Sequence, residues 1–274
     1  MTDHDVPDAR AIPPEGATRA TPARMYNTYL QGKDNRTVDR EATARLLEDI
    51  PDIAQAAAEN REFVLRAVGH CAEAGVDQFL DLGAGLPTDR NVHEVAREKK
   101  PIARVVYVDN DPVVLAHGRA LLADNGHTTV IVGDVRRPAD VLKDPALRAS
   151  IDLRRPVAVL LGAVLHFVRD DEHPHDIVAA FRDVLAPGSR LVLSHATDEG
   201  PPPEHVTILE EAYANATAQV TLRSRDAIAG FFDGFDLEDP GLTRPGLWRP
   251  APVPGPSTHW QFAGVGRVQA RGLR

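Results

Sequence analysis

Cysteine is almost absent from this chain of 274 residues: Cys71 stands alone. That excludes an internal disulfide and any metal centre built on several thiolates, and it fits a reducing cytoplasm. Lysine is scarce too, standing only at Lys33, Lys99, Lys100 and Lys143, so arginine carries nearly all the positive charge. No apolar run approaches the roughly 20 residues that cross a bilayer. The opening stretch MTDHDVPDARAIPPEG has acids and prolines where a signal peptide has a basic and then an apolar segment, so a cytoplasmic protein without a membrane partner is expected. Basic residues are outnumbered, 31 Lys and Arg against 40 Asp and Glu, for a net charge of −9. This average surface repels a nucleic-acid backbone, which leaves a small molecule as the expected partner. Nothing in these patterns speaks to oligomeric state.

What is present reads as a globular chain, 43% hydrophobic and 26% charged, long enough for one enlarged domain or a core with a small attachment. Residues 1–22 are polar and proline-rich, without hydrophobic period, and read as a disordered tail. Helical spacing follows over Ala23–Leu30, Val38–Ile50 and Ile53–Ala74, with the polar stretch Gln31–Arg36 between the first two and Gly75 placed to stop the third. From residue 76 apolar runs of strand length alternate with helices. The strands are expected at Gln78–Leu82, Arg104–Val108, Thr129–Val132, Val157–Ala163, Arg190–Ser194, Phe235–Asp239 and His259–Val268. The helices are expected at Asn91–Lys99, Pro112–Ala123, His175–Leu185 and Ser224–Phe232, the second opened by an Asp111-Pro112 start signal. Continuous apolar strands separated by helices imply a parallel sheet covered on both faces.

The first strand ends in Asp81-Leu82-Gly83-Ala84-Gly85, at the edge of an open α/β sheet where ligands bind, and Gly83 and Gly85 allow the backbone a close approach. A dinucleotide fingerprint wants a third glycine where this chain has Thr88, and the Asp81 carboxylate would repel a pyrophosphate. A cofactor with a cationic amino group and no phosphate, such as S-adenosylmethionine, suits Asp81 instead. Asp109, followed by Asn110, ends the second strand as the reader of a ribose diol. Asp134 and Val135 follow the third strand and suit an adenine ring, the alternative being a solvated loop in which Asp134 pairs with Arg136 and Arg137.

These residues resemble the class I S-adenosylmethionine-dependent methyltransferases over about residues 75–200. Ala23-Arg24-Met25-Tyr26, Gly32-Lys33-Asp34-Asn35, Phe79–Thr88, Val106–Leu115, Leu165-His166-Phe167-Val168 and Leu193-Ser194-His195 are more specifically similar to a bacterial methyltransferase family catalogued as a domain of unknown function. The resemblance implies an α/β, Rossmann-like class I fold: a seven-stranded, mostly parallel sheet with its last strand antiparallel and helices on both faces. It also implies that residues 23–75 form a helical cover of the cofactor cleft, joined to a core over 76–274.

On this reading the cofactor is S-adenosylmethionine, the acceptor an unidentified small molecule, and the cofactor-binding residues are Asp81, Gly83, Gly85, Asp109, Asn110, Asp134 and Val135, with Tyr26 and Asn35 from the cover. His166, after the fourth strand, is the candidate general base, with packing as the alternative, and His195 is a weaker one. Asp170–Asp176 clusters acids and histidines but reads as a solvated loop before a helix, and no metal is expected. Thr197–Ala216 is placed to shape an acceptor pocket, and Pro240–Pro256 either closes the site or links the last strands. Two further readings stay open: a regulatory S-adenosylmethionine-binding protein without catalysis, and a nicotinamide-dependent oxidoreductase.

Overall fold

Alternation within the first strands settles which side chains face which layer. The computed structural model describes residues 18–122, 126–250 and 257–269. In β1 (Gln78–Leu82), Leu80 and Leu82 join one apolar cluster and Phe79 the other, and in β2 (Arg104–Asp109) Val106 and Val108 part from Val105 and Tyr107 in the same way. Side chains of a strand point to opposite faces in turn, so these two strands, apolar on both faces, must lie inside a sandwich of helices. The remaining strands are β3 (Thr128–Val132), β4 (Ala158–Gly162), β5 (Arg190–Ala196), β6 (Phe235–Leu237) and β7 (Gln261–Val268). They form one seven-stranded sheet in the order β3-β2-β1-β4-β5-β7-β6, with β7 antiparallel to both its neighbours and the pairs from β3 through β5 parallel. The chain reverses direction across the sheet between β1 and β4, which opens a crevice at the carboxyl ends of those strands.

Before the sheet come α1 (Pro22–Tyr29), α2 (Thr37–Asp49) and α3 (Ile53–Glu73). Their buried residues, among them Met25, Tyr29, Leu46, Ile50 and Ala57, share a third apolar cluster with Leu209 and Tyr213 of a later helix, α9 (Pro203–Ala214), and with Trp260. The expected tail ends sooner than the sequence suggests. Ala20 and Thr21 are buried, the Thr21 hydroxyl caps α1 by accepting from the Arg24 amide, and the Arg19 side chain donates to backbone carbonyls of Asn215 and Ala216. Residues 1–17, Ala123 and residues 251–256 lie outside the described residues, and with them the greater part of the tail and the end of the Pro240–Pro256 segment.

Between the strands run α4 (Val92–Lys99), α5 (Pro112–Leu122), α8 (Pro174–Arg182) and α10 (Arg225–Gly230), each within a few residues of its expected place. Two short helices were not foreseen, α6 (Pro138–Lys143) and α7 (Pro145–Ser150). Both begin with proline at the first helical position, and Asp144 caps α7 by accepting from the Ala146 and Leu147 amides. Asp144-Pro145 repeats the signal that marked Asp111-Pro112, but six-residue helices are too short for hydrophobic period to show. The 240–250 segment follows β6 and is not part of the lining of either cavity described below; its Trp248 packs edge-on to Phe63, centroids 5.4 Å apart.

Candidate functional site

A cleft of about 500 Å³ opens at the carboxyl ends of β1, β2 and β4, with α1 and residues of α3 closing it from the other side. Its floor begins at the turn after β1. Gly83 and Gly85 sit at φ 69° and 67°, in the left-handed region open to glycine. A Cβ on Gly83 would strike Val164 at 2.6 Å, whereas one on Gly85 would meet no atom within 4 Å. The turn therefore makes room and supplies few donors. Gly83 and Ala84 amides donate to the Val108 carbonyl at 2.8 and 3.1 Å, and the Gly85 amide donates to Asp109 Oδ2 at 2.9 Å.

Asp109 is thereby set from two sides, because its Oδ1 accepts the Asp111 amide at 2.9 Å. Each oxygen keeps a second lone pair for a ligand hydroxyl. Burial pushes its carboxyl above the usual range, against the pull of these amide bonds. Asp81 is buried at the cleft wall, and its burial pushes the carboxyl up to about 7, with Arg61 pulling it down and Asp109 pushing it further up. Asp134 lines the cleft and is also held by Arg136, whose Nε and Nη2 donate to its two oxygens at 2.9 and 2.6 Å. Asp134 thus faces the cavity and is ion-paired at once; desolvation raises its carboxyl, but hydrogen bonds from Arg136 and Asn110 outweigh this and hold it below the usual range.

Of the residues singled out in sequence, Asp81, Gly83, Gly85, Asp109, Asn110, Asp134, Val135 and Tyr26 all line this one cleft. Tyr26 offers it a ring, since its hydroxyl donates to the Ala57 carbonyl and accepts from Asn60 Nδ2 at 2.8 and 2.9 Å. Asn35 does not line the cleft and is corrected to a supporting position. Its Nδ2 donates to Asn27 Oδ1 and the Gly32 carbonyl at 2.9 and 2.7 Å, and Asn27 is the residue that faces the cavity.

His166 departs further from expectation. It is buried outside the main cleft, beside a small chamber of about 50 Å³, and its Nδ1 accepts the Ala196 amide at 3.3 Å. Burial, with His195 and Arg223 adding to it, lowers its pKa well below the ordinary value. A neutral imidazole accepting at Nδ1 carries its proton on Nε2, so His166 is a donor and the general-base role falls. His195 is buried as well, its Nδ1 donating to the Ala196 carbonyl and its Nε2 accepting from Arg223, with burial taking its pKa down to about 3. The acids of Asp170–Asp176 are spread among arginines: Asp170 pairs with Arg223, Asp171 with Arg169 and Glu172 with Arg136. Among the described residues no three His, Cys, Asp or Glu side chains converge as a metal site would need.

Sequence reasoning missed Arg61 and Asn60 of α3, which it read only as part of a helix. Arg61 Nη2 donates to Thr88 Oγ1 at 2.9 Å and to the Arg90 carbonyl at 2.7 Å, while its Nε is buried with no partner among the described residues, in a side chain that lines the cleft beside Asp81. An orphaned guanidinium donor next to a buried carboxylate is what the two charged groups of a free amino acid would satisfy. Asp81 and Arg61 at one end, Asp109 in the middle and Asp134 with Asn110 at the other therefore fit a ligand with an amino-acid head, a diol and a polar ring. A Cβ-free floor at Gly85 leaves space beneath it.

The sequence pattern of the S-adenosyl methyltransferase family matches residues 11–269. Among solved structures, a candidate methyltransferase from Thermobifida fusca YX is 41% identical, covers 94% of this chain and 98% of its own, and superposes with a TM-score of 0.88. A DUF574 family protein from Streptomyces avermitilis is 36% identical, with coverage of 91% and 98% and a TM-score of 0.87. An O-methyltransferase family protein from Burkholderia thailandensis, 15% identical with coverage of 80% and 61% and a TM-score of 0.52, shares the fold. No curated protein matches the chain.

Proposed function

The chain belongs to the S-adenosyl methyltransferase family, is an S-adenosylmethionine-dependent methyltransferase, and from that premise we propose that it methylates a small molecule. The observation that carries this reading is that walls rise on both sides of the cofactor cleft: Thr21 to Leu30 contribute from one side and Thr217 and Ala218 from another, so an acceptor reaches the cofactor between them. The cleft itself, about 500 Å³, is in the range of small-ligand sites and takes the cofactor. The net charge of −9 points the same way, against a polyanionic acceptor.

When bound, S-adenosylmethionine supplies a methyl group on a sulfonium, which a nucleophilic atom takes as the carbon–sulfur electron pair returns to sulfur. The protein's part is to hold and align. Asp81 takes the α-amino group and Arg61 the α-carboxylate. Asp109 accepts the ribose hydroxyls, and Asn110, Asp134 and Val135 border the adenine. Residues 23–75 cover this site as part of the same domain. A regulatory binder without catalysis is disfavoured by the chamber next to the cleft, which shares Pro22, Tyr26, Ala163 and Phe167 with it and leaves a place for an acceptor. The nicotinamide reading has no support from the family, and Asp81 opposes it.

Calorimetry tests this assignment. S-adenosylmethionine and S-adenosylhomocysteine are expected to bind and NAD not to. Arg61→Gln weakens S-adenosylhomocysteine on the order of tenfold, the value of one charge-assisted hydrogen bond, and leaves 5′-methylthioadenosine, which lacks the amino-acid head, unchanged. Equal losses for both ligands would remove Arg61 from the carboxylate position, and tight NAD binding alone would overturn the function.

Asp81 makes binding pH-dependent. The amino group binds the carboxylate form, so below its pKa of about 7 each binding event must first expel a proton and affinity falls with pH. Between pH 7 and 5.5 the loss for S-adenosylhomocysteine is on the order of tenfold, over an interval where an α-amino group, titrating near roughly 7.7–8.0, stays protonated. Asp81→Asn flattens the profile, and a flat wild-type profile would contradict the pairing. In the free protein the sign reverses. An unfolded aspartate titrates near about 3.9, so the stability that Asp81 contributes is full below that pH and is lost as pH rises through about 7.

A further inference from the structure

The small chamber beyond Ala163 and Phe167 is walled by an unusual share of the chain's aromatic residues. There are four tyrosines and two tryptophans in the protein, and Tyr26, Tyr29, Tyr213 and Trp260 all face this space together with Phe167. No acidic side chain, lysine or arginine lines it. Apart from the tyrosine hydroxyls and the Trp260 indole N–H, whose hydrogen bonds are made to Ala57, Asn60, Asp52 or one another, two polar side chains do. Gln261 at the start of β7 is 9% exposed, and its Oε1 is buried without a hydrogen-bond partner among the described residues. His166 is the other, 5% exposed, with a bond at Nδ1 and none among the described residues at Nε2. They converge on one strand position: His166 is docked on the Ala196 amide, and Gln261 is the register partner of Ala196 across the antiparallel β5–β7 pair.

A buried acceptor left unpaired costs about 1–3 kcal/mol, which a hydrogen bond from a ligand would recover. A hydroxyl is the group that satisfies both sides at once, donating to Gln261 Oε1 and accepting from the His166 Nε2 proton. From this geometry we infer that the chamber binds the methyl acceptor, and that the acceptor is an uncharged aromatic molecule anchored here by a hydroxyl group. A carboxylate or ammonium finds no counter-charge in this wall and would be desolvated at a cost.

The size of the space gives the pose. At about 50 Å³ the chamber is roughly a third of the volume that takes a benzene molecule, so it holds the hydroxyl and the leading edge of the ring. The remainder passes Ala163 and Phe167, which also line the main cleft. The anchoring hydroxyl is thus the far end of the molecule, and the atom that receives the methyl group belongs to the part reaching into the cleft. His166 acts here as a positioning donor.

This inference rests on the methyltransferase reading, and the experiment separates the two. Protein saturated with S-adenosylhomocysteine is titrated with phenol, toluene and benzoate, with ligand-observed NMR and calorimetry as readouts. Phenol is expected to bind at least tenfold more tightly than either of the others. Gln261→Met, which keeps the length and removes the amide, abolishes that preference with S-adenosylhomocysteine affinity unchanged. Ala56→Leu, which fills the chamber from α3, blocks phenol and likewise spares the cofactor product. Phenol no tighter than toluene, or a preference that survives Gln261→Met, overturns the chamber as a hydroxyl-binding acceptor site while the function stands. Failure of S-adenosylhomocysteine itself to bind the wild type overturns both.

Discussion

Arg24→Met is expected to lower folding stability by about 3–5 kcal/mol, the cost of leaving a buried charge without its partner. Arg24 and Asp39 are 1% and 0% exposed in their side chains, with Nε and Oδ2 2.8 Å apart. The network then reaches out of the cover. Arg24 Nη1 approaches Asp111 Oδ2 at 3.5 Å, and Thr21 Oγ1 donates to the same oxygen at 2.9 Å. Asp111 in turn accepts the Val113 amide at 2.8 Å and so caps α5, two residues after Asp109, the proposed ribose reader. One arginine therefore ties α1 and α2 to the loop that carries Asp109. Its loss strands Asp39, whose other bonds come from the Thr21 and Arg36 amides. Urea unfolding measures the effect, and a change below about 1 kcal/mol would show that the pair is not load-carrying in this sense. Arg24→Met with Asp39→Leu recovers much of the loss, because removing both members of a buried pair leaves no orphan.

Asp109→Ala is expected to weaken S-adenosylhomocysteine by about 1.5–3 kcal/mol, or roughly ten- to a hundred-fold. Two effects add. The carboxylate's hydrogen bonds to the ribose hydroxyls are lost, and the Gly85 and Asp111 amides, 2.9 Å from its two oxygens, lose the acceptor that shapes the turn and the loop. Asp109→Asn separates them, since its carbonyl oxygen still accepts one amide while the charge is gone. An intermediate affinity is expected. Affinity unchanged in Asp109→Ala, with the protein folded, would place the ribose elsewhere.

Both predictions concern residues at different distances from what sequence alone can reach. Asp109 is legible as a candidate because its context is local: an apolar run ends, an acid follows, and the next acid and proline start a helix, so its place at the cleft follows from neighbours in the chain. Arg24 has no such local context, because its partners Asp39 and Asp111 lie 15 and 87 residues away and no spacing rule links them. Asn35 shows the intermediate case. Its polar turn is conspicuous in the sequence, yet its amide serves Asn27 and Gly32, and which of the two asparagines faces the cavity depends on how α1 leans on the core.

The succession of strands along the chain and the two-sided sheet, the glycine turn after β1, and the acids at the ends of β1, β2 and β3 were determined by the sequence itself, since periodicity, capping and left-handed backbone are free energies of a few adjacent residues. Tertiary structure decided the rest. It brought Arg61 from α3 to stand beside Asp81 with its Nε unpaired among the described residues, took the base role from His166 by burying it against Ala196, and brought Gln261 into the same chamber lining as that histidine from a strand 95 residues further on. Burial and pairing across such separations depend on the packing of the whole chain. Whether a side chain is charged or neutral, and occupied or waiting for a ligand, is fixed only when that packing is complete.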